Sequence, residues 1–439
     1  MWEKSFSDQI KIFFMNRRTW LATVPVGLGF VSGCLGGDSL SGSSNGVDAW
    51  RQIGFDATNR NHAPDATGPM DEVTVSWVQD TYLPTDTLLG DEDLYFHTSD
   101  GYPTSLDPDG ELRWQQDSVT GRVVAVTEEN VFIANEESGR LLALNPDDGE
   151  THETLDLPLA RTYGTSLFTD GIYTPTGEGI ARIDIEEVTV DWEGNLAEHP
   201  DVVTADAGLA LSAPAVTGDH AITADYRSTP GGPFVYGLDN DGDLDWIASL
   251  DLPGWTVMGY PVLGNDHVFV AVNRPDTRAA DAGDDDAGDD SDARIIALEP
   301  ESGAVEWEVE IAGNINGAPA YADGTVYVEH GKGDGGGVTV EAISVADQSP
   351  KWQVESDTLF QVTTPVIIGD TVYSAVGEYL LGVDSDGDLL WRFSMEDWAV
   401  DEGYSLEEYH EFWPWPMGPI ALGDTFYCWG ADGWLFALQ

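Results

Sequence analysis

Along most of the chain, short apolar runs alternate with turns of Gly, Asp or Asn, and one arrangement keeps returning. An apolar pair leads into a tight turn, and a β-branched and aromatic pair follows. It occupies Leu88–Tyr95, Val124–Phe132, Ser166–Tyr173, Pro214–Ile222, Pro261–Phe269, Pro319–Tyr327, Pro365–Tyr373 and Pro419–Tyr427. Each is a hairpin signature, two strands joined by a short turn. Measured between the aromatic or equivalent apolar positions, the spacings run from 37 to 58 residues. A second hairpin follows most copies and usually ends in Trp, as in Ser105–Trp114, Gly237–Trp246, Ala297–Trp307 and Gly382–Trp391. Weaker copies end at Trp192 and Trp352, and the copy after Leu144 ends at Thr154 without a Trp.

Four short strands per unit, repeated eight times at a period of ~40–45 residues, describe the blades of a β-propeller. The expected fold is therefore all-β: eight four-stranded antiparallel blades. The chain stops at Leu435–Gln439, which matches the third strand of the last unit. Glu72–Trp77 carries the missing fourth-strand pattern, so an N-terminal strand is expected to complete the eighth blade and close the ring. Trp114, Trp246, Trp307 and Trp391 are expected to pack between blades, with no chemical role.

The chain has 439 residues, with 79 acidic against 18 basic, a formal charge of −61. That balance excludes a sequence-independent nucleic-acid binder, which must neutralise phosphates, and disfavours docking on anionic lipid through a basic patch. Acidic excess with only four Lys resembles proteins of extreme halophiles, whose self-repulsion is screened by molar salt.

The start of the chain has a different logic. Arg17 and Arg18 precede an uncharged stretch, Trp20 to Gly33, of 14 residues. This is too short to span a bilayer of ~30 Å as a helix. Val31-Ser32-Gly33 then leads into Cys34. The pattern resembles a twin-arginine export signal with a lipobox over residues 1–33, making Cys34 a lipid anchor. Met15 directly before Asn16 suggests that residues 1–14 are an over-extended gene start. Residues 34–71 are expected to be a flexible tether and an opening segment, followed by the propeller over 72–439. The only other cysteine, Cys428, lies in an apolar run and reads as a buried structural thiol, so no disulfide framework is expected.

The repeat units resemble the pyrroloquinoline-quinone (PQQ) repeat, with its Leu-x-x-Leu-Asp…Gly…Trp logic, and the resemblance covers residues 72–439. Trp50–Asp65 looks like the opening segment of haloarchaeal secreted members. The resemblance implies a BamB-type lipoprotein propeller or, as the alternative, a PQQ-dependent dehydrogenase with Ca²⁺ on the axis. Family hallmarks of the latter include a vicinal disulfide and a carboxylate base, and this chain has no adjacent cysteines. Asp239–Asp245 and Asp384–Asp388 superficially resemble Ca²⁺ loops, but Gly sits fourth rather than sixth, where a hairpin turn needs it. The histidines are scattered, without ligand spacing. No catalytic, metal or cofactor residue is singled out, and no cofactor is expected.

Turn lengths supply the remaining clue. In an up-and-down blade with strands A to D, the A–B and C–D turns share one face, and the B–C and D–A connections share the other. The insertions fall in B–C connections (226–233, 273–293, 330–337) and in one D–A connection (393–416). The last holds Trp398, Tyr404, Tyr409, Phe412, Trp413 and Trp415 among carboxylates, either a partner-binding surface or a plug over the axis. The sequence thus predicts an exported, membrane-anchored, monomeric, non-catalytic binding scaffold at the cell surface. A solute- or glycan-binding module is a further alternative.

Overall fold

The computed structural model describes residues 10–14, 49–69, 73–80, 84–159, 164–169, 171–199, 209–227, 231–274, 292–315, 317–331, 337–356, 364–376, 379–402, 419–430 and 433–439. Eight antiparallel sheets follow one another as the blades of a propeller. Blades 1 to 7 span 84–115, 122–156, 166–195, 215–249, 256–312, 320–356 and 366–394, each with its strands in the order A-B-C-D. Blade 8 takes strands A to C from 420–438 and strand D from Val75–Asp80.

The burial patterns explain why these residues make this architecture. Strand B of each blade is covered on both sides by neighbouring blades and therefore reads as a continuous apolar run. Val268–Asn273 and Thr371–Val376 are buried at every position. Strand D is the outer edge and alternates: in Val305–Ala312 only Trp307 and Ile311 are fully buried.

One irregularity recurs in the C–D pairing. In blades 1, 5 and 7 the register shifts immediately after the pairs Ser105↔Trp114, Ala297↔Trp307 and Gly382↔Trp391. The shift is a β-bulge, a device that re-aims a side chain and strengthens twist. The indole is thereby directed onto the next blade. Trp77 Nε1 donates to Pro108 O (2.9 Å), Trp114 to Pro146 O (2.6 Å), Trp246 to Pro300 O (3.1 Å) and Trp352 to Ser385 O (3.1 Å). Each acceptor lies in the C–D turn of the following blade. Beneath the ring sits the turn's left-handed glycine: a Cβ on Gly149 would stand 2.6 Å from Trp114 Cε3. Glycine is required there twice over, by φ of +71° and by the indole above it.

Blade 2 departs from this pattern at its Trp position. Its Trp position is filled by Glu153, paired with Ala143 ahead of the same bulge, one residue before the Thr154 at which the sequence repeat ends. The C–D turn of blade 3 carries Val188 in the left-handed conformation (φ 50°) with its side chain buried, and that of blade 6, which follows Trp307, carries Gln348 (φ 52°).

Strand D of blade 8 repeats the pattern. Trp77 pairs with Ala437 next to a register shift, and Val75–Asp80 lies antiparallel to Trp434–Leu438. Closure by an N-terminal strand is thus as expected, with limits three residues later than the 72–77 read from sequence. Thr74 and Gln439 exchange two backbone hydrogen bonds of 2.9 Å, joining the two ends of the ring. Two sheets gain a fifth strand. His62–Ala63 runs parallel to strand A of blade 7, and Ile10–Phe14 pairs antiparallel with strand D of blade 6 (Ser349–Ser356). Cys428 is buried in strand B of blade 8, and burial pushes its thiol pKa well up.

Candidate functional site

The innermost A strands surround an axis, and the end of that axis on the A–B turn face is filled by residues 50–69 of the chain itself. This segment makes one circuit, meeting the blades in numerical order. Its carbonyls accept from A-strand amides: Trp50 O from Gly90 N (2.9 Å), Arg51 O from Val126 N (2.9 Å), Ala57 O from Val216 N (2.6 Å) and Thr58 O from Leu263 N (2.9 Å). Arg60 O, Asn61 O and Ala63 O then accept from Tyr321, Ile367 and Gly369 (2.8–3.0 Å). Blade 3 is served by a side chain: the Gln52 carboxamide accepts from Leu167 N and donates from Nε2 to Leu167 O (3.3 Å). Blade 8 is met by Thr67 Oγ1, which donates to Asp424 Oδ1 (2.9 Å).

Two asparagines hold the centre. Asn59 is fully buried, and its Nδ2 donates to Pro214 O (3.0 Å) and Pro261 O (3.2 Å). Asn61 Nδ2 donates to Pro319 O (3.2 Å), while its Oδ1 accepts from the buried Tyr260 hydroxyl at 2.8 Å. Burial raises the Tyr260 pKa and keeps it a phenol donor. Both asparagines are left-handed (φ 58° and 54°), a conformation Asn tolerates better than other side chains because its amide bonds locally. Pro214 and Pro319 stand directly before their A strands and Pro261 within its own, and their carbonyls accept from these amides.

The segment then turns outward along the seam between blades 7 and 8. Pro69 O accepts from Trp391 Nε1 (2.7 Å) and from the Tyr373 hydroxyl (3.1 Å). Blade 8 has no C–D turn, because its strands C and D come from opposite ends of the chain. Pro69 supplies the carbonyl that such a turn supplies elsewhere.

Along the segment, His62 is largely buried, with Nε2 3.2 Å from Gly369 O, and desolvation lowers its pKa. Arg51 pairs with Asp91 in the A–B turn of blade 1 at 3.0 Å.

At the opposite ends of the B strands, towards the B–C connections, the buried contacts are polar. Asp225 is held by a fork from Arg227, and Asn273 clasps the Ile315 backbone through both amide atoms. Ser374 of blade 7 donates to Glu329 of blade 6, and His330 Nε2 lies 3.2 Å from Glu341 Oε2, both side chains 5% exposed. This is also the face of the long insertions. Strand D of blade 7 continues there into a helix, Met395–Asp401, capped by Ser394, whose side chain accepts from Asp397 N.

Trp398 on this helix is half-buried, its ring edge-on to Phe436 of blade 8 at 5.3 Å. It therefore packs on the propeller, and the structure separates it from the plugged end of the axis. Arg17, Arg18 and Cys34, and the insert residues Tyr404, Tyr409, Phe412, Trp413 and Trp415, lie outside the described residues. Sequence reasoning missed the axial role of 50–69; its signal was the pair Asn59-x-Asn61 beside Trp50 and Phe55, whose rings meet at 5.0 Å.

The quinone cofactor that this fold can carry is a poor match to these residues. The cysteines stand at 34 and 428, so no vicinal disulfide can form, and one end of the axis is filled by the chain with its central amides satisfied.

No curated protein matches the chain. Among solved structures, it resembles the quinohemoprotein alcohol dehydrogenase of Comamonas testosteroni, at TM-score 0.59 and 11% identity over 89% of this chain and 80% of that one. It also resembles BamB of Moraxella catarrhalis, at TM-score 0.53 and 14% identity over 84% and 100% of the two chains. A computationally designed protein, Ika8, aligns at TM-score 0.51 and 11% identity over 82% of this chain and 99% of its own. At such identities the likeness establishes the fold. The family model described as outer membrane protein assembly factor BamB matches residues 99–273 and 231–398. With some two-thirds of its length so matched, the chain belongs to that family of PQQ-repeat β-propellers.

Proposed function

We propose that this protein is an exported, lipid-anchored propeller that binds other proteins at the outer side of the cytoplasmic membrane, in a high-salt environment. The observation that carries the scaffold reading is the asymmetry of its two faces. One end of the axis is occupied by the chain's own residues 50–69, and all the long connections are on the other face. In this reading Arg17 and Arg18 direct export, Cys34 carries the lipid, and processing before Cys34 removes Ile10–Phe14 from the edge of blade 6. Family membership supports a protein-binding role, since propellers of this kind serve as assembly factors.

The test is cross-linking of the anchored protein in its own membranes at molar salt, followed by purification. A protein cross-linked through the B–C and D–A face supports the reading. A purified protein with a quinone absorption band and substrate-dependent dye reduction would overturn it in favour of a dehydrogenase. Replacing Arg17 and Arg18 by Lys should retain the chain inside the cell, and Cys34→Ser should release it from the membrane.

A further inference from the structure

We infer that the propeller is held with its plugged A–B and C–D face towards the membrane, leaving the B–C and D–A face turned outward for partner proteins. The inference rests on the lipid anchor proposed above and adds a direction to it.

The geometry comes from where the chain enters the body. Trp50, the first residue of the axial segment, and Ala49 just before it are both buried, and Trp50 bridges Gly90 at the A–B turn of blade 1. Arg51 and Thr67 reach further A–B turn residues, Asp91 and Asp424. The chain therefore enters near the axis on this face. From Cys34 to Ala49 there are 15 residues, which reach at most about 50 Å when fully extended. A Gly- and Ser-rich chain of that length has a root-mean-square span of only about 20 Å. A tether attached near the centre of one face keeps that face the nearer one to its anchor.

Charge sets how close the face comes. Its C–D turns are built on Asp107, Asp239 and Asp384, whose carboxylates accept from turn amides at 2.9–3.1 Å. Such a face is repelled by anionic headgroups. It can stand within tether length only because the Debye length shrinks to ~3 Å at 1 M salt. Attraction to lipid plays no part in this arrangement; the tether does the positioning.

Blade 2 offers two exposed labelling positions at opposite ends of one strand. Glu129 lies in its A–B turn and Glu137 in its B–C turn, separated by Val131–Asn135. Cys428 is buried, so Glu129→Cys or Glu137→Cys gives a single reactive thiol in the lipidated protein. Each variant is labelled with a donor fluorophore and reconstituted, at molar KCl, with phosphatidylglycerol vesicles bearing an acceptor on the headgroups. The two sites differ in height by roughly 20 Å along the strand, so the Glu129 site should transfer at least about twofold more efficiently. Equal transfer, or more from the Glu137 site, in protein that floats with the vesicles overturns the orientation and leaves the anchor intact. Failure of the parent to float, matching Cys34→Ser, overturns the anchor and the orientation with it.

Discussion

The indole of Trp391 donates a 2.7 Å hydrogen bond to the carbonyl of Pro69, a residue 322 positions earlier in the chain. At the other seams with this bond, the acceptor belongs to the C–D turn of the next blade. Here it belongs to the segment that has just circled the axis. The seam between blades 7 and 8 is thus held by a part of the chain lying outside both blades.

Trp391→Phe should lower stability by about 1–2 kcal/mol, the hydrogen bond together with part of the ring contact. Tyr373→Phe should cost less, because its hydroxyl shares the same acceptor at 3.1 Å. The double variant should be non-additive, since either donor alone can satisfy Pro69 O. Denaturant midpoints of the two single variants and the double variant decide this; strict additivity would mean the two bonds act independently.

Gly149→Ala should destabilise by about 2–4 kcal/mol, combining the left-handed backbone with overpacking against Trp114. Gly324→Ala is the matched comparison. Its φ is +73°, but a Cβ there meets nothing within 4 Å, so only the backbone cost of about 1 kcal/mol applies. Equal losses in the two variants would remove the indole from the explanation.

Asn59→Ala should cost about 2–3 kcal/mol, because Pro261 O loses the Asn59 amide, Pro214 O is left with the Ser166 hydroxyl alone, and Ala is strained at this φ. Asn59→Gly should recover the backbone part alone. Hydrogen exchange offers the sharper readout: amides of Val216, Leu263 and Tyr321, which donate to the segment, should exchange faster in both variants. Unchanged protection would show that the segment is held elsewhere.

Burial holds the His62 pKa below its ordinary value, so the folded protein prefers neutral imidazole. Its contribution to stability is complete above about pH 6.5 and declines as pH falls through the lowered folded value. The unfolding free energy of the parent should therefore drop more between pH 7 and 5 than that of His62→Gln, measured at one fixed high salt concentration. Parallel pH profiles would contradict this assignment.

A formal charge of −61 should make stability strongly dependent on ionic strength. The melting temperature should climb between about 0.01 M and 1 M salt, as the Debye length falls from ~30 Å to ~3 Å. A melting temperature indifferent to salt would count against the halophilic reading.

The blade count and closure were legible because apolar alternation and a recurring Trp are local signals. Trp77 marked the closing strand; the strand limits were less clear because pairing register follows the indole and its bulge rather than the first apolar residue. The same bulge explains why Glu153, and not Thr154, takes the Trp position in blade 2. Residues 50–69 read as a connection for a different reason. Their partners are main-chain groups of seven blades and one side chain of the eighth, which leave no periodic trace, and buried Asn59 and Asn61 carry the polarity of a loop. Turn lengths identified the elaborated face, but the chemistry of a partner does not follow from the length of a loop.

The circuit of residues 50–69 has a consequence for the order of events during folding. Each blade is a local antiparallel unit that can form soon after it is synthesised. The segment needs acceptors or donors from all eight, including Asp424, and Thr74 needs Gln439, 365 positions later in the chain. The N-terminal part of the chain must therefore wait, unsatisfied, until the eighth blade has been synthesised, and its docking is a long-range step of the kind that folds slowly. A chain truncated by even one blade has no complete circle for it to occupy. Docking of the segment thus acts as a proofreading step that separates finished rings from unfinished ones.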